Sequence, residues 1–151
     1  LKIFELKEAG LSFEQVVVQG EKYKDSVTTY FVLDNLDTLR KNGRLSGIKS
    51  VVASTLNIKP VMSADNTGTI IQLGQKIGIR KALISMCEEI VKNKQDTPGK
   101  DLMISHCNAG KRALYVKDIL EKTGLFATIR ILDTRGISSI YANDGGIIVA
   151  V

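Results

Sequence analysis

Aromatic residues and cysteines are scarce in this 151-residue chain, and each shortage argues against a class of protein. Tryptophan is absent and aromatic residues make up 5% of the sequence, which disfavours the stacking platforms that bind single-stranded nucleic acids. The two cysteines, Cys87 and Cys107, lack the spacing of metal ligands. We predict that both are free thiols in a cytoplasmic protein.

Long hydrophobic runs are also missing. No apolar run approaches the roughly 20 residues that a membrane-spanning helix needs, and no signal peptide is visible at the start. The chain opens on Leu1 rather than methionine, so we expect that a segment has been removed upstream.

The residue patterns of catalytic and metal sites are absent from the sequence. The sole histidine, His106, follows a predicted strand, where a lone histidine is more often structural than catalytic. No serine lies in a nucleophile elbow, no paired-glycine phosphate loop precedes a helix, and no His/Cys/carboxylate cluster has metal-ligand spacing. The sequence therefore predicts a binding module without catalysis, metal or cofactor.

The composition indicates one compact domain of the α/β class. Hydrophobic residues make up 44% and charged residues 25%, as is usual in soluble globular domains. Predicted helices and strands alternate, which favours a mixed sheet packed with helices. Helices are predicted at 1–9, from a capping box at Ser12 onward, at 36–42 with Asp34 as its N-cap, at 80–92 and at 109–122. Strands are predicted at 27–33, 58–63, 69–73, 102–105 and 127–132. Two more strands are predicted around a glycine-rich turn in 136–151.

Two basic segments are candidate binding elements. Arg44 lies at a joint where one helix stops at Gly43 and another begins at Ser46; its planar guanidinium suits a carboxylate or phosphate, or else pairs with a helix end or a nearby acid. The second segment lies where a hairpin runs into a helix, and with the net charge of +5 it suits an anionic partner or forms a solvated surface. Its basic residues are Lys76, Arg80 and Lys81.

An amphipathic stripe follows the Arg44 joint. Apolar residues recur at helical spacing from Ser46 onward, so one face of that helix either packs in an ordinary core or lines an apolar slot. The stripe consists of Ile48, Val51, Val52 and Leu56.

Taken in order, these segments resemble the DegV family of bacterial proteins, and the resemblance extends over essentially all 151 residues. It implies a single domain at 1–151, the C-terminal domain of the two-domain DegV-like fold, with residues 1–25 as the helical connection to an absent N-terminal domain. The matching stretches are Tyr30–Leu36, Gly43–Ser46, Leu56–Val61, Ile79–Leu83 and Ile104–His106.

The resemblance implies fatty-acid binding. DegV proteins are similar to the binding subunit of bacterial fatty-acid kinase, which encloses an acyl chain between two α/β domains and presents the carboxylate to a separate kinase of the dihydroxyacetone-kinase type. Burying about fifteen methylenes at ~0.8 kcal/mol each would contribute on the order of 10 kcal/mol. We therefore expect a long-chain fatty acid as ligand and no cofactor.

The resemblance also assigns roles to single residues. Arg44 matches an arginine at the carboxylate, the Ile48–Leu56 stripe would line the acyl slot, and Arg80 matches a basic position on the kinase- or membrane-facing surface. Ala142 falls where the family usually has the histidine of a His-x-Gly-Pro-Gly motif, which predicts weaker carboxylate recognition or a different ligand. The Thr and Ser that hold the carboxylate would come from the absent domain.

Several partners follow from these assignments. We expect the fatty acid, the kinase, a transient contact with a membrane surface and self-association of the isolated half through an exposed apolar cleft, but no nucleic acid. The alternative function is an anion- or nucleic-acid-binding regulatory module that uses Lys76, Arg80 and Lys81. A third possibility is an enzyme whose catalytic groups lie in the absent half.

Overall fold

A mixed six-stranded sheet forms the centre of the computed structural model in its described part, residues 2–45, 57–94 and 98–151. The strand order is β3-β2-β1-β6-β4-β5. The strands are β1 Thr29–Val32, β2 Ile58–Ala64, β3 Ile70–Ile77, β4 Lys100–His106, β5 Phe126–Asp133 and β6 Ile147–Ala150, and the helices are α1 Lys2–Glu8, α2 Phe13–Ser26, α3 Asp37–Lys41, α4 Ile79–Lys94, α5 Gly110–Glu121 and α6 Ile137–Ala142.

The strand pairing brings several loops together at one edge of the sheet. β1 runs antiparallel to β2 and β6, β2 runs antiparallel to β3, and β4 runs antiparallel to β6 but parallel to β5. The carboxyl ends of β1, β3, β4 and β5 therefore meet the amino ends of β2 and β6 at what we call the carboxyl edge. Helices α4 and α5 both begin there. The predicted α/β class with a mixed sheet is confirmed.

One face of the sheet carries the main core. Strand residues such as Val32, Ile104 and Val149 are fully buried against α4 and α5, because β-branched side chains pack well on a pleated surface. Helix α4 buries one apolar face, which includes Cys87. Burial raises the pKa of the Cys87 thiol to about 12, which disfavours the nucleophilic thiolate form. Both cysteines are free, as predicted.

The second face of the sheet has a smaller core. Successive side chains of a strand point to opposite faces, so Phe31 and Leu33 turn away from the main core while Val32 enters it. They pack with Met62, with Leu39 and Leu45 from α3 and the turn after it, and with Ala142 at the end of α6.

The local start and stop signals were mostly correct. Ser12 and Gln15 form the predicted capping box at the start of α2, and Gly43 adopts a left-handed φ of +69° just beyond α3. The predicted cap of α3 was wrong: Leu36 is its N-cap residue, without a side-chain hydrogen bond. The carboxylate of Asp34 instead forms ion pairs with distant residues.

The prediction for the last sixteen residues was wrong in part. Residues 136–151 hold the helix α6 and a single strand, β6, rather than two strands. Isoleucine and tyrosine favour strands, but Tyr141 and Ala142 pack into the second core, and such packing overrides a weak local preference. Helix α4 also continues to Lys94, beyond its predicted end. The predicted helix from Ser46 lies outside the described residues.

Candidate functional site

Four residues from separate elements meet at the carboxyl edge and form what we call the Asp34 cluster: Asp34, Lys59, Arg112 and Gly145. Arg112 Nη1 donates hydrogen bonds to Asp34 Oδ2 and, at 2.7 Å, to the carbonyl of Gly145. Lys59 Nζ lies 3.1 Å from Asp34 Oδ1 and donates to the Asp34 carbonyl at 2.9 Å. The cluster thus joins the end of β1 to β2, to α5 and to the loop before β6.

Two cations keep the Asp34 carboxylate ionised. Burial by itself would raise the pKa of Asp34, but hydrogen bonds and charge from Arg112 and Lys59 outweigh burial, so the pKa lies below its ordinary value of 3.8. An ion pair that is partly shielded from water is stronger than an exposed one. The side chains of Asp34 and Arg112 are 30% and 33% exposed, so this pair is of that shielded kind.

Acid is expected to destabilise the protein through Asp34. Because its folded-state pKa is depressed, its contribution to the free energy of unfolding is fully present above about pH 4 and is lost as the pH falls through the folded pKa. Asp34→Asn should lower the free energy of unfolding at neutral pH by about 1–3 kcal/mol, and that difference should shrink in acid.

Urea unfolding of both proteins at neutral pH and in acid measures this effect. Asp118→Asn is the control, because Asp118 forms an exposed pair with Lys122 on α5 and should change stability little at either pH. A loss for Asp34→Asn that does not depend on pH would contradict the assignment.

The loop between α6 and β6, which we call the Asn143–Gly146 loop, is tied to two neighbouring elements. Asn143 Nδ2 donates to the Asn35 carbonyl at 3.2 Å, and Thr38 Oγ1 donates to Asn143 Oδ1 at 3.3 Å. Gly145 N donates to the Cys107 carbonyl at 2.9 Å, and Cys107 N donates to the Gly146 carbonyl at 3.1 Å. The loop is therefore held both by α3 and by the end of β4.

The glycines of this loop permit a very close approach of the backbone. A Cβ atom on Gly145 would overlap Asp34 Oδ2 and Arg112 Nη1, and one on Gly146 would overlap the Ala142 carbonyl. Gly145 also has a φ of +84°, which side-chain-bearing residues rarely adopt. A larger residue at Gly145 would thus separate the loop from Arg112.

His106 has local partners at the same edge. Its Nδ1 accepts a hydrogen bond of 3.2 Å from the backbone N–H of Ala109, just before α5. Its Nε2 lies 3.5 Å from Asp133 Oδ1 at the end of β5. These contacts fit the structural role predicted for His106, since they join the start of α5 to the ends of two parallel strands.

A cavity of about 440 Å³ lies at the opposite end of the second face. Met103 and Ala150 pair across β4 and β6, and both line the cavity from the face away from the main core. Helices α1 and α2 contribute Lys2, Glu5, Tyr23 and Ser26. The basic residues Lys100 and Arg130 also line the cavity. The remaining lining residues are Val27, Gly99, Asp101, Leu102, Thr128 and Val151.

A row of mostly apolar strand positions, which we call the apolar path, runs along this face from the buried second core to the cavity. Phe31 pairs with Ile148 and Ile148 with Ser105 in the neighbouring strand. These positions lie between Leu33, near the carboxyl edge, and Met103 at the cavity. Strand residues rise about 3.4 Å each, so the path crosses most of the length of β4 and β6.

Comparison with known proteins identifies the family. All 151 residues match the sequence profile of a family described as uncharacterised proteins, DegV family. The chain belongs to the DegV family. A DegV domain-containing protein of Streptococcus pyogenes is 36% identical over 149 residues, which are 99% of this chain and 52% of that protein.

Two solved DegV structures have the same fold. A Ruminococcus gnavus DegV protein, refined with vaccenic acid, is 47% identical with a TM-score of 0.92, over 99% of this chain and 53% of that one. The Streptococcus pneumoniae fatty acid kinase B3 protein, loaded with linoleic acid, is 34% identical with a TM-score of 0.88, over 99% and 52%. The predicted family is confirmed, and this chain spans about half the length of the DegV relatives it matches.

The structure places two predicted DegV site residues close to one core. Arg44 is exposed in the turn after α3, where its backbone N–H donates to the Leu39 carbonyl at 2.9 Å. The adjacent Leu45 is buried in the second core. Ala142 is buried in the same core and is only 1% exposed. Their roles in binding stay predictions. Ile48, Val51, Val52 and Leu56 lie outside the described residues.

The basic residues of the predicted partner surface lie around the start of α4. Lys76, Arg80 and Lys81 are exposed, and the Arg80 guanidinium lies 5.2 Å from the centre of the Tyr115 ring on α5. Arg80 Nε also donates to the Tyr115 hydroxyl at 3.3 Å. This arrangement holds one cation of the group against an aromatic face.

Sequence reasoning missed the Asp34 cluster of this DegV domain. Asp34 and Arg112 are 78 positions apart, so no local pattern connects them. The available signal was the location of Asp34 directly after a buried strand, where polar side chains in α/β domains commonly form sites.

None of the helices in the described residues is long and apolar enough to cross a membrane. Within 2–45, 57–94 and 98–151, no group of His, Cys, Asp or Glu side chains is arranged to hold a metal ion.

Proposed function

We propose that this chain forms half of a binding site for a long-chain fatty acid and does not itself catalyse a reaction. The observation that carries the proposal is the 47% identity, over almost the whole chain, to a DegV protein whose structure was refined with vaccenic acid. The pneumococcal relative loaded with linoleic acid supports the same ligand class.

The acyl tail would lie along the second face of the sheet. Ile148 and Met103 are only partly buried, and they lie between the second core, which covers Leu33 and Phe31, and the 440 Å³ cavity. Each methylene removed from water on such a surface contributes about 0.8 kcal/mol. The stretch at Ile148 and Met103, together with the cavity, therefore suits an apolar chain.

The carboxylate would lie at the carboxyl edge, with Arg44 as its contact from this chain. The exposed guanidinium can donate two parallel hydrogen bonds to a carboxylate. The side chain of Ala142 has no hydrogen-bond donor, so further donors would come from a second domain. DegV relatives are about twice as long as this chain, which leaves room for such a domain.

The helical pair α1 and α2 would connect to that second domain. Neither helix contains a buried residue, and Phe4 and Phe13 are 62% and 78% exposed. Aromatic side chains of this kind are usually covered by a neighbouring surface. The same exposure supports the expectation that the half alone associates with itself.

A fatty-acid kinase would act on the bound carboxylate. The surface of Lys76, Arg80 and Lys81 carries charge suited to a partner with phosphates or to an anionic membrane surface. Support comes from the relative described as a fatty acid kinase B3 protein.

Arg44→Ala in the full-length protein is expected to lower oleate affinity by about tenfold, because a charge-assisted hydrogen bond to the carboxylate is lost. Lipid extracted from the purified protein and quantified by mass spectrometry, together with oleate titration, measures the change. Arg40→Ala is the matched control, since Arg40 is an exposed residue of α3 paired with Asp37. Full-length protein that retains no fatty acid would contradict the proposed function, and unchanged retention in Arg44→Ala would contradict the role of Arg44.

A further inference from the structure

We propose that Arg112 is a positioning residue for the carboxylate end of the site, acting through the Asn143–Gly146 loop rather than by touching the ligand. The inference rests on the proposed function. Arg112 lies in the first turn of α5 and bridges two groups, the Asp34 carboxylate and the Gly145 carbonyl. One guanidinium thus connects the end of β1 to the loop before β6.

The loop in turn fixes α3. Asn143 uses both ends of its amide on that segment: Oδ1 accepts from Thr38 Oγ1 and Nδ2 donates to the Asn35 carbonyl. Asn143 has a φ of +55° and a ψ of 172°, a strained backbone conformation that is essentially confined to glycine. This side chain therefore adds polar contacts to the apolar packing that already joins α3 and α6.

Arg44 and Ala142 depend on the same frame. Helix α3 ends just before the turn that carries Arg44, and α6 ends at Ala142, next to Asn143. Leu39, Leu45 and Ala142 pack in one cluster. A shift of the loop away from Arg112 would therefore move the Arg44 turn relative to the rest of the site.

Lys59 cannot replace Arg112 in this role. Its ammonium already contacts both a carboxylate oxygen and the carbonyl of Asp34, and among the described residues no hydrogen bond or ion pair joins it to the loop. Without Arg112 the Asp34 charge would keep one cation, but the loop would lose its connection to that charge. Loss of Arg112 would therefore change the position of the loop more than the net charge around Asp34.

The test separates positioning from folding by comparing two ligands with the same tail, oleate and oleyl alcohol, in the full-length protein. Arg112→Met keeps the aliphatic stem and removes the bridge. We expect oleate affinity to fall about tenfold, because the guanidinium of Arg44 would be displaced and would lose its paired hydrogen bonds to the oleate carboxylate. The affinity for oleyl alcohol, which has no carboxylate, should change by less than about twofold. Lys117→Met, on the same helix and paired with the exposed Glu121, should change neither.

A second, milder variant covers the case in which Arg112→Met does not fold. Thr38→Val removes only the hydroxyl that meets Asn143 and should also weaken oleate more than oleyl alcohol. Equal weakening of both ligands, or unchanged oleate affinity, would overturn the positioning role while leaving the proposed function intact. Failure of the unchanged protein to bind oleate would overturn both.

Discussion

Gly145→Ala is expected to lower the free energy of unfolding by about 4 kcal/mol, through left-handed backbone strain and overpacking together. The added Cβ would overlap Asp34 Oδ2 and Arg112 Nη1, so both side-chain ends would have to shift and the ion pair would be disturbed. The φ of +84° adds the ordinary penalty for a side-chain-bearing residue. The site and the fold therefore depend on the same glycine.

Gly124→Ala provides a matched control for this experiment. Gly124 also has a positive φ, +67°, but a Cβ there would meet no atom within 4 Å. Only the backbone penalty remains, about 1–2 kcal/mol. Urea unfolding of both variants separates overlap from strain. Equal losses at the two positions would show that the Asp34 cluster is not tightly packed around the loop.

Met103→Glu is expected to abolish fatty-acid retention in the full-length protein, with a loss of oleate affinity of roughly 100-fold. Met103 lines the cavity at the far end of the apolar path, where an acyl tail would have to cover the new carboxylate. Covering a carboxylate costs several kcal/mol or forces it to take up a proton, and the basic Arg130 and Lys100 that also line the cavity offset only part of that cost. Oleate titration and mass spectrometry of extracted lipid measure the loss.

The control for that experiment is Leu114→Glu on α5. Leu114 is 61% exposed, so the same apolar-to-acid change there should leave retention unchanged. Circular dichroism and thermal unfolding confirm that both variants fold. If Met103→Glu retains as much lipid as Leu114→Glu, the tail does not pass over Met103.

Local sequence signals predicted many of the elements. The Ser12 capping box, the hairpin between β2 and β3 and the apolar face of α4 each arise from residues a few positions apart. Such patterns reflect backbone geometry and burial within one element, which is why they can be read without a fold. The ordered series of these signals also identified the DegV family.

Predictions failed where a distant partner decided the outcome. Asp34 is suited to cap a helix, yet Arg112 and Lys59 hold its carboxylate, and a charged pair outweighs one cap. Residues 136–151 favour strands, yet the second core holds Ala142 at the end of a helix. In both cases the competing contact is far away in sequence.

The sequence by itself determined the family, the α/β class, the free cysteines and the basic residues at the start of α4. Only the tertiary structure decided that Asp34, Lys59, Arg112 and Gly145 form one cluster, and that the apolar path leads from the second core to a cavity at Met103. The physical reason is that strand order and direction place these residues side by side. Asp34 and Arg112 are neighbours because β1 and β4 end at the same edge of the sheet, which no local spacing records.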